Sequence, residues 1–410
     1  MRRVIKVKLR PLLLAIIFLA LICENIITKF IGVASYFDEA LAIILFVEYI
    51  IHIMRKGITK KDALILSIIV LLFIIGFVGN GRSRITNNLA IEMFDAFNIF
   101  KFALAILGGK LLLNEYKFKK EVVEYLGFFI KCLIIVSTVF MIVNLFFDIG
   151  MHTDYRYGFR SYNFIFTRVG DFYSSCILWI LVLTAELYYK DKRNAHLFIA
   201  LALINMCSTM RSRAWGFSIL YVILYYAFVI RKERRFKWWH AIPFGLLVYF
   251  IAADQFSFYF SGDRARNVLL RYGLVTARNY FPFGSGFATY GTAIAQRYYS
   301  SLYDQYNFSS YWGLSSSYGS FLTDNYWPAV MAEFGFIGAI IMAVLIYLLI
   351  KKVAKGIDNK YSKINIYFGF GTLIISSLAS SSFFSCTTLV VLMCLVSTLS
   401  IGGGTESLRR

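Results

Sequence analysis

Ala63-Leu64-Ile65-Leu66-Ser67-Ile68-Ile69-Val70-Leu71-Leu72-Phe73-Ile74-Ile75-Gly76-Phe77-Val78-Gly79 carries no charge. It follows the basic pairs Arg55-Lys56 and Lys60-Lys61 and is followed by Arg82 and Arg84. A helix needs about 17–25 predominantly apolar residues to cross the hydrocarbon core of a bilayer, and this run has that length. Similar runs, bounded by basic clusters, recur from end to end. Twelve spans are expected, near 11–30, 36–54, 63–79, 89–109, 122–147, 165–189, 195–210, 214–230, 241–258, 326–350, 364–381 and 383–401.

The whole chain of 410 residues agrees with that reading: 59% is hydrophobic, 18% aromatic and only 16% charged. A soluble domain carries about a quarter charged residues, so this composition excludes one. With 4 prolines and no long polar tract, residues 1–410 read as a single integral membrane domain, an all-α polytopic protein. Cys23, Cys132, Cys176, Cys207, Cys386 and Cys394 fall inside apolar segments without a CxxC pair, so they read as small buried fillers. Met1–Arg10 is basic and precedes an apolar stretch without a small-residue cleavage site, which predicts a first spanning helix that is retained.

Lysine and arginine concentrate in cytoplasmic loops. With the N-terminus inside, the short basic loops all fall on the inner side and carry 28 of the 43 cations, against 13 outside and 2 within spans. The expectation is a multi-pass plasma-membrane protein with both termini cytoplasmic. Its net charge of +20 then reflects loops meeting anionic lipid headgroups, not nucleic acid. Inside, lysines outnumber arginines 18 to 10, whereas outside there are 12 arginines and Lys29. Charge rules for topology treat the two alike. Arginine, though, is the residue suited to two-pronged recognition of phosphate, so an external site for phosphate or diphosphate is expected, scattered snorkelling arginines being the alternative.

Residues 259–325 form an external loop far longer than the other connections, and loops of that length are usually functional. Asp263–Arg278 reads as a short amphipathic helix with Arg264, Arg271 and Arg278 seven apart, suited to lying at the membrane surface. Phe281-Pro282-Phe283-Gly284-Ser285-Gly286-Phe287 reads as a tight turn. Between Tyr280 and Trp327 stand 16 aromatic residues, including Tyr299, Tyr303, Trp312 and Trp327. They are either an interfacial belt or a sugar-binding surface. Asp324 closes the loop at the mouth of the tenth span, where it would orient or deprotonate a hydroxyl, or else serve as a salt-bridged structural aspartate. Nearby arginines are expected to lower its pKa. Arg211 and Arg213, Arg156 and Arg160 with His152 and Asp154, and Arg82 and Arg84 are further external groups that could converge there. Glu92, Asp95, Lys101, Asp171 and Glu333 lie within spans, where ionisable residues are functional candidates, with Asp95 and Lys101 also read as ordinary helix partners. No P-loop, kinase, HExxH or clustered His/Cys pattern occurs, so neither a nucleotide, a cofactor nor a tightly held metal is expected.

Arg266–Asn279, Tyr280–Gly291, Tyr298–Tyr303 and Asp324-Asn325-Tyr326-Trp327-Pro328 followed by Glu333–Gly338 together resemble the bacterial O-antigen and capsule polymerases of the Wzy type. The resemblance implies a GT-C-like membrane glycosyltransferase that joins undecaprenyl-diphosphate-linked oligosaccharide units on the external face of the plasma membrane. It also implies membrane lipids, and a chain-length regulator, as partners. On that reading Asp324 is catalytic, and Arg213, Arg266, Arg271, Arg278, Arg211 and Arg160 bind diphosphate in place of a metal. Tyr299, Tyr303, Trp312, Asn325 and Trp327 bind sugar. O-antigen ligases share the layout, including a Ser-Arg turn like Ser212-Arg213, but usually carry His-Asn where this chain has Asp324-Asn325. The alternatives are such a ligase or a transporter for lipid-linked oligosaccharide, although transporters usually show internal repeats and none is evident between the two halves.

Overall fold

The structure is a computed structural model that describes residues 8–111, 116–188, 192–233, 242, 245 and 261–397. In chain order its main helices are α1 (Leu9–Ile22), α2 (Phe37–Lys56), α3 (Lys60–Ser83), α4 (Leu89–Gly109), α5 (Tyr116–Phe146), α6 (Val169–Glu186), α7 (Lys192–Cys207) and α8 (Ser212–Tyr225). Further along the chain come α9 (Ala265–Asn279), the short α10 (Ala293–Arg297) and α11 (Ser301–Gln305), α12 (Tyr326–Ala354), α13 (Lys360–Ser377) and α14 (Thr387–Ser397). The chain is mostly helical, and among the described residues five helices are long and apolar enough to cross a membrane: Lys60–Ser83, Phe118–Phe146, Val169–Glu186, Ser212–Ile230 and Tyr326–Ala354. Every expected span within the described residues falls on helix, but several helices are shorter or more charged than a spanning helix. The first breaks at Cys23 after 14 residues, and the last runs for 11. α2 and α4 carry a buried ion-pair set, Lys101 Nζ to Asp38 at 2.7 Å and to Glu39 at 2.9 Å. The expected span at 241–258 lies outside the described residues.

The helix starts are set locally. Thr59, Asn88 and Asn359 each cap a helix by accepting backbone N–H bonds with their side chains. α6 is almost wholly buried, packed by α5, α7, α13 and α14. α3 and α5 turn apolar faces outward: Val70, Leu71 and Ile74 on one, Ile135, Val139 and Val143 on the other. So large an exposed apolar surface matches lipid and not water.

Two features of the fold were not foreseen. A hairpin, β1 (His152–Arg156) and β2 (Phe159–Tyr162), rises before α6, turned by Tyr157-Gly158 with both residues at positive φ. It is tied to the end of α7 by Tyr162 N–H donating to Ser208 O at 3.1 Å. The second is the course of residues 283–292, which run between α3, α4 and α12 and not over them. Ser285 N–H donates to Ala332 O (2.8 Å) and Gly286 N–H to Glu333 O (2.9 Å), using carbonyls that α12 releases at Gly335, where φ is +69°. Asn80 on α3 clamps Phe287, accepting its N–H at 2.7 Å and donating to its carbonyl at 2.9 Å. The passage is tight. A Cβ on Gly286, itself at φ +90°, would stand 2.3 Å from Asn80 N, and one on Gly76 would stand 2.3 Å from the Phe287 ring. The rest of the long loop has its own small core of Val268, Leu269, Tyr290, Leu302, Tyr303, Phe308, Leu314 and Leu322.

Candidate functional site

Four helices begin around one carboxylate. Arg168 precedes the first residue of α6, Arg213 is the second residue of α8, Arg266 the second of α9, and Asp324 lies two residues before α12. Arg266 Nη2 meets Asp324 Oδ2 at 3.1 Å, and Arg213 and Arg168 both act on the same carboxyl through their charge. Arg213 is steadied by donating from Nη2 to Ala379 O at 2.9 Å. Helix N-termini present unpaired N–H groups and partial positive charge. Three guanidinium groups added to four such ends make a strongly cationic cluster, of the kind that attracts phosphate.

Burial pushes the Asp324 carboxyl above the usual carboxylate range, and the opposite pull of Arg266, Arg213 and Arg168 does not cancel it. The sequence reading, which expected the arginines to prevail, is corrected on this point. A carboxylate with a raised pKa is a better proton acceptor, so the shift favours proton removal over mere orientation.

Next to this cluster lies a cleft of about 320 Å³. It starts at Thr323, beside Asp324, and at Ser381, two residues from the carbonyl that Arg213 grips. Asn98, Gln296, Arg297 and Ser385 line it, with Tyr36, Phe94 and Phe384 as rings. A second cleft of about 300 Å³ shares Ala293, Gln296 and Arg297 and adds Tyr299, Ser315 and Ser316. Amides, hydroxyls and the charged side chains of Glu39, Asp95, Lys101 and Arg297 beside aromatic rings form a surface for a polyhydroxylated ligand.

Of the residues singled out in the sequence, Arg213, Arg266 and Asp324 come together, and Tyr299 lies on a cleft wall. Others do not join them. Arg278 is twelve residues along α9 from Arg266, about 18 Å at the helical rise, so the two cannot hold one diphosphate. Arg271 is exposed, over the Tyr272 ring and 3.3 Å from the Tyr311 hydroxyl. Arg211, just before α8, bonds Asp154 of the hairpin at 3.2 Å, and Arg160 of β2 donates to Asn144 O at 2.8 Å, so both are engaged at the hairpin. There Asp154, despite a burial that works the other way, is held below the usual range by hydrogen bonds from Arg156 and Ser161 and by the Arg211 charge. His152 faces Asp148.

The aromatic set divides in the same way. Tyr303 is fully buried in the loop core, its hydroxyl accepting from Gly291 N–H at 2.8 Å, so it is not a sugar platform. Asn325 is buried and donates to Arg266 O at 2.9 Å, and the Trp327 indole donates to Ser377 Oγ at 3.1 Å. These two hold the start of α12 in place instead of facing a ligand. Trp312 is 74% exposed, against Tyr318 and Phe321, away from both clefts' linings.

Sequence reasoning missed the roles of Arg168 and Arg297, each visible only as one of the external arginines. It also missed Ala379–Ser385, absorbed into two consecutive apolar windows although four consecutive positions there, Ala379-Ser380-Ser381-Ser382, already read as a break. Among the described residues no group of three or more His, Cys, Asp or Glu side chains is placed to hold a metal ion. No family model matches the chain, and no curated protein or solved structure matches it.

Proposed function

We propose that this protein is a membrane glycosyltransferase of the polymerase type, which joins lipid-diphosphate-linked oligosaccharide units outside the plasma membrane through a twelve-span, GT-C-like fold. The observation that carries the reading is the convergence of Arg168, Arg213 and Arg266, with four helix N-termini, around Asp324 at the head of a polar and aromatic cleft. In the reaction, a terminal hydroxyl of the acceptor saccharide attacks the anomeric carbon of the donor. A new glycosidic C–O bond forms as the C–O bond to the lipid diphosphate breaks. The hydroxyl proton goes to Asp324, and the leaving diphosphate takes the electron pair and settles among the arginines. The cleft at Asn98, Gln296 and Arg297 holds saccharide. A diphosphate is a weak enough base to depart without a proton donor.

Because arginine supplies the positive charge, elongation of purified lipid-linked units should proceed unchanged in saturating EDTA. Loss of activity that Mg²⁺ or Mn²⁺ restores would replace the arginine cluster with a cation bridge. The site must also face outward. A cysteine placed at Ser315, on the wall of the second cleft, should react with an impermeant thiol reagent added to intact cells, and one at Lys355 should not. The reverse pattern would put the clefts on the wrong side for this chemistry.

A further inference from the structure

The loop through 285–292 is held by two carboxyl groups that the proposed reaction does not use. Asp95 Oδ2 accepts the Ala288 N–H at 2.7 Å. Glu333 Oε1 accepts the N–H groups of Thr289 and Tyr290 at 3.1 and 3.2 Å. Their other oxygens, Asp95 Oδ1 and Glu333 Oε2, are buried and meet no donor. The residues themselves are 0% and 1% exposed. The two carboxyls take three consecutive backbone N–H groups, those of Ala288, Thr289 and Tyr290, and lie within hydrogen-bonding reach of each other.

No lysine or arginine pairs with either group among the described residues. Lys101, on the same helix as Asp95, is committed to Asp38 and Glu39. The other titratable neighbour is Tyr303, whose hydroxyl accepts from Gly291 N–H. Two ionised carboxylates back to back, with no cation paired to either, repel strongly in a low dielectric, and each orphaned oxygen adds its own desolvation cost. A metal ion would want a shell of oxygens. What points at this pair is backbone N–H.

We propose that Asp95 and Glu333 share one proton, held between Asp95 Oδ1 and Glu333 Oε2, and that this buried proton site fastens the 285–292 loop to α4 and α12. One carboxylic acid donating to one carboxylate satisfies both orphaned oxygens at once and halves the buried charge. The consequence reaches the cleft, because Thr292, Gln296 and Arg297 follow directly on the fastened loop and Asp95 stands in the same wall. Proton occupancy therefore sets the position of that wall.

The test compares the full-length wild-type protein with D95N, E333Q and D95N/E333Q in detergent, by infrared absorption of the protonated carboxyl and by thermal unfolding at neutral pH. Neither measurement needs a saccharide substrate, so failure here and failure of the glycosyltransferase reading are separate results. The wild-type protein should show, at neutral pH, a protonated-carboxyl band that disappears in either single variant. Each single amide should melt near wild type, because an amide N–H donates where the acid O–H did. The double variant sets two NH₂ groups against each other and should melt lower than the two single changes together account for. Should one single variant not fold, the other carries the assignment of the band. A wild-type protein without that band at neutral pH, a band that survives both single changes, or a double variant as stable as the singles would overturn the shared proton.

Discussion

Arg266→Lys should slow elongation about a hundred- to a thousandfold, the cost of losing one donor that strengthens in the transition state. The lysine keeps the charge and can still approach Asp324, but it lacks the planar fork that meets two oxygens in parallel. Arg266 is placed for such a fork: its side chain is mostly buried, Nη2 is on Asp324, and its own carbonyl is held by Asn325. Protein yield and Tm should stay near wild type, since the ion pair survives the change. A lysine variant that turns over normally would mean that at position 266 only positive charge matters and that the Arg266 guanidinium does not grip the diphosphate.

Asp324→Asn should have an effect as large or larger, a fall of about a hundred- to ten-thousandfold, the usual worth of a positioned proton acceptor. The side chain keeps its shape, so folding should hold while turnover drops. pH gives a second readout. On the proposed mechanism Asp324 acts ionised, and burial raises its pKa, so the acid limb of the wild-type rate profile should lie above the ordinary aspartate value of about 3.9. The residual activity of the asparagine variant should lack that limb. Loss of fold together with activity would make Asp324 a structural partner of Arg266. Normal elongation would send the search for the base to Asp171, in the first turn of α6 next to Arg168, ahead of His152 and Asp154, which the hairpin holds with Asp148, Arg156 and Arg211.

The helical membrane character was legible because it rests on local quantities, namely run length and the absence of charge. So was the helix at Asp263–Arg278, which appears as Ala265–Asn279 with Val268, Leu269 and Gly273 on its buried face. The juxtaposition of Arg266 with Asp324 was half legible. Both stood in the same long loop, but nothing local says that a helix starting at 265 docks along a helix starting at 326. Side-chain roles were read less well where packing decides them. Tyr303 and Trp312 carry similar signals in the sequence, yet one is sealed in a core and the other is exposed. The buried course of 283–292 was hidden for a further reason. Its glycines announce a tight turn, but what they admit is the backbone and rings of α3 and α12, contacts that exist only once the helices are assembled. Span ends were hardest, because Cys23 and Ala379–Ser385 interrupt helices inside stretches that hydropathy alone runs together.

One measurement bears most directly on the central claim. Purified protein in proteoliposomes is given fluorescent oligosaccharide linked to undecaprenyl diphosphate, and the products are resolved by length while free undecaprenyl diphosphate is counted. The expected result is a ladder rising by whole repeat units, with one lipid diphosphate released for each unit added and no ladder from Asp324→Asn. Substrate that crosses the bilayer at its original length, with no lipid diphosphate released, would contradict the account and make the arginine cluster part of a transporter.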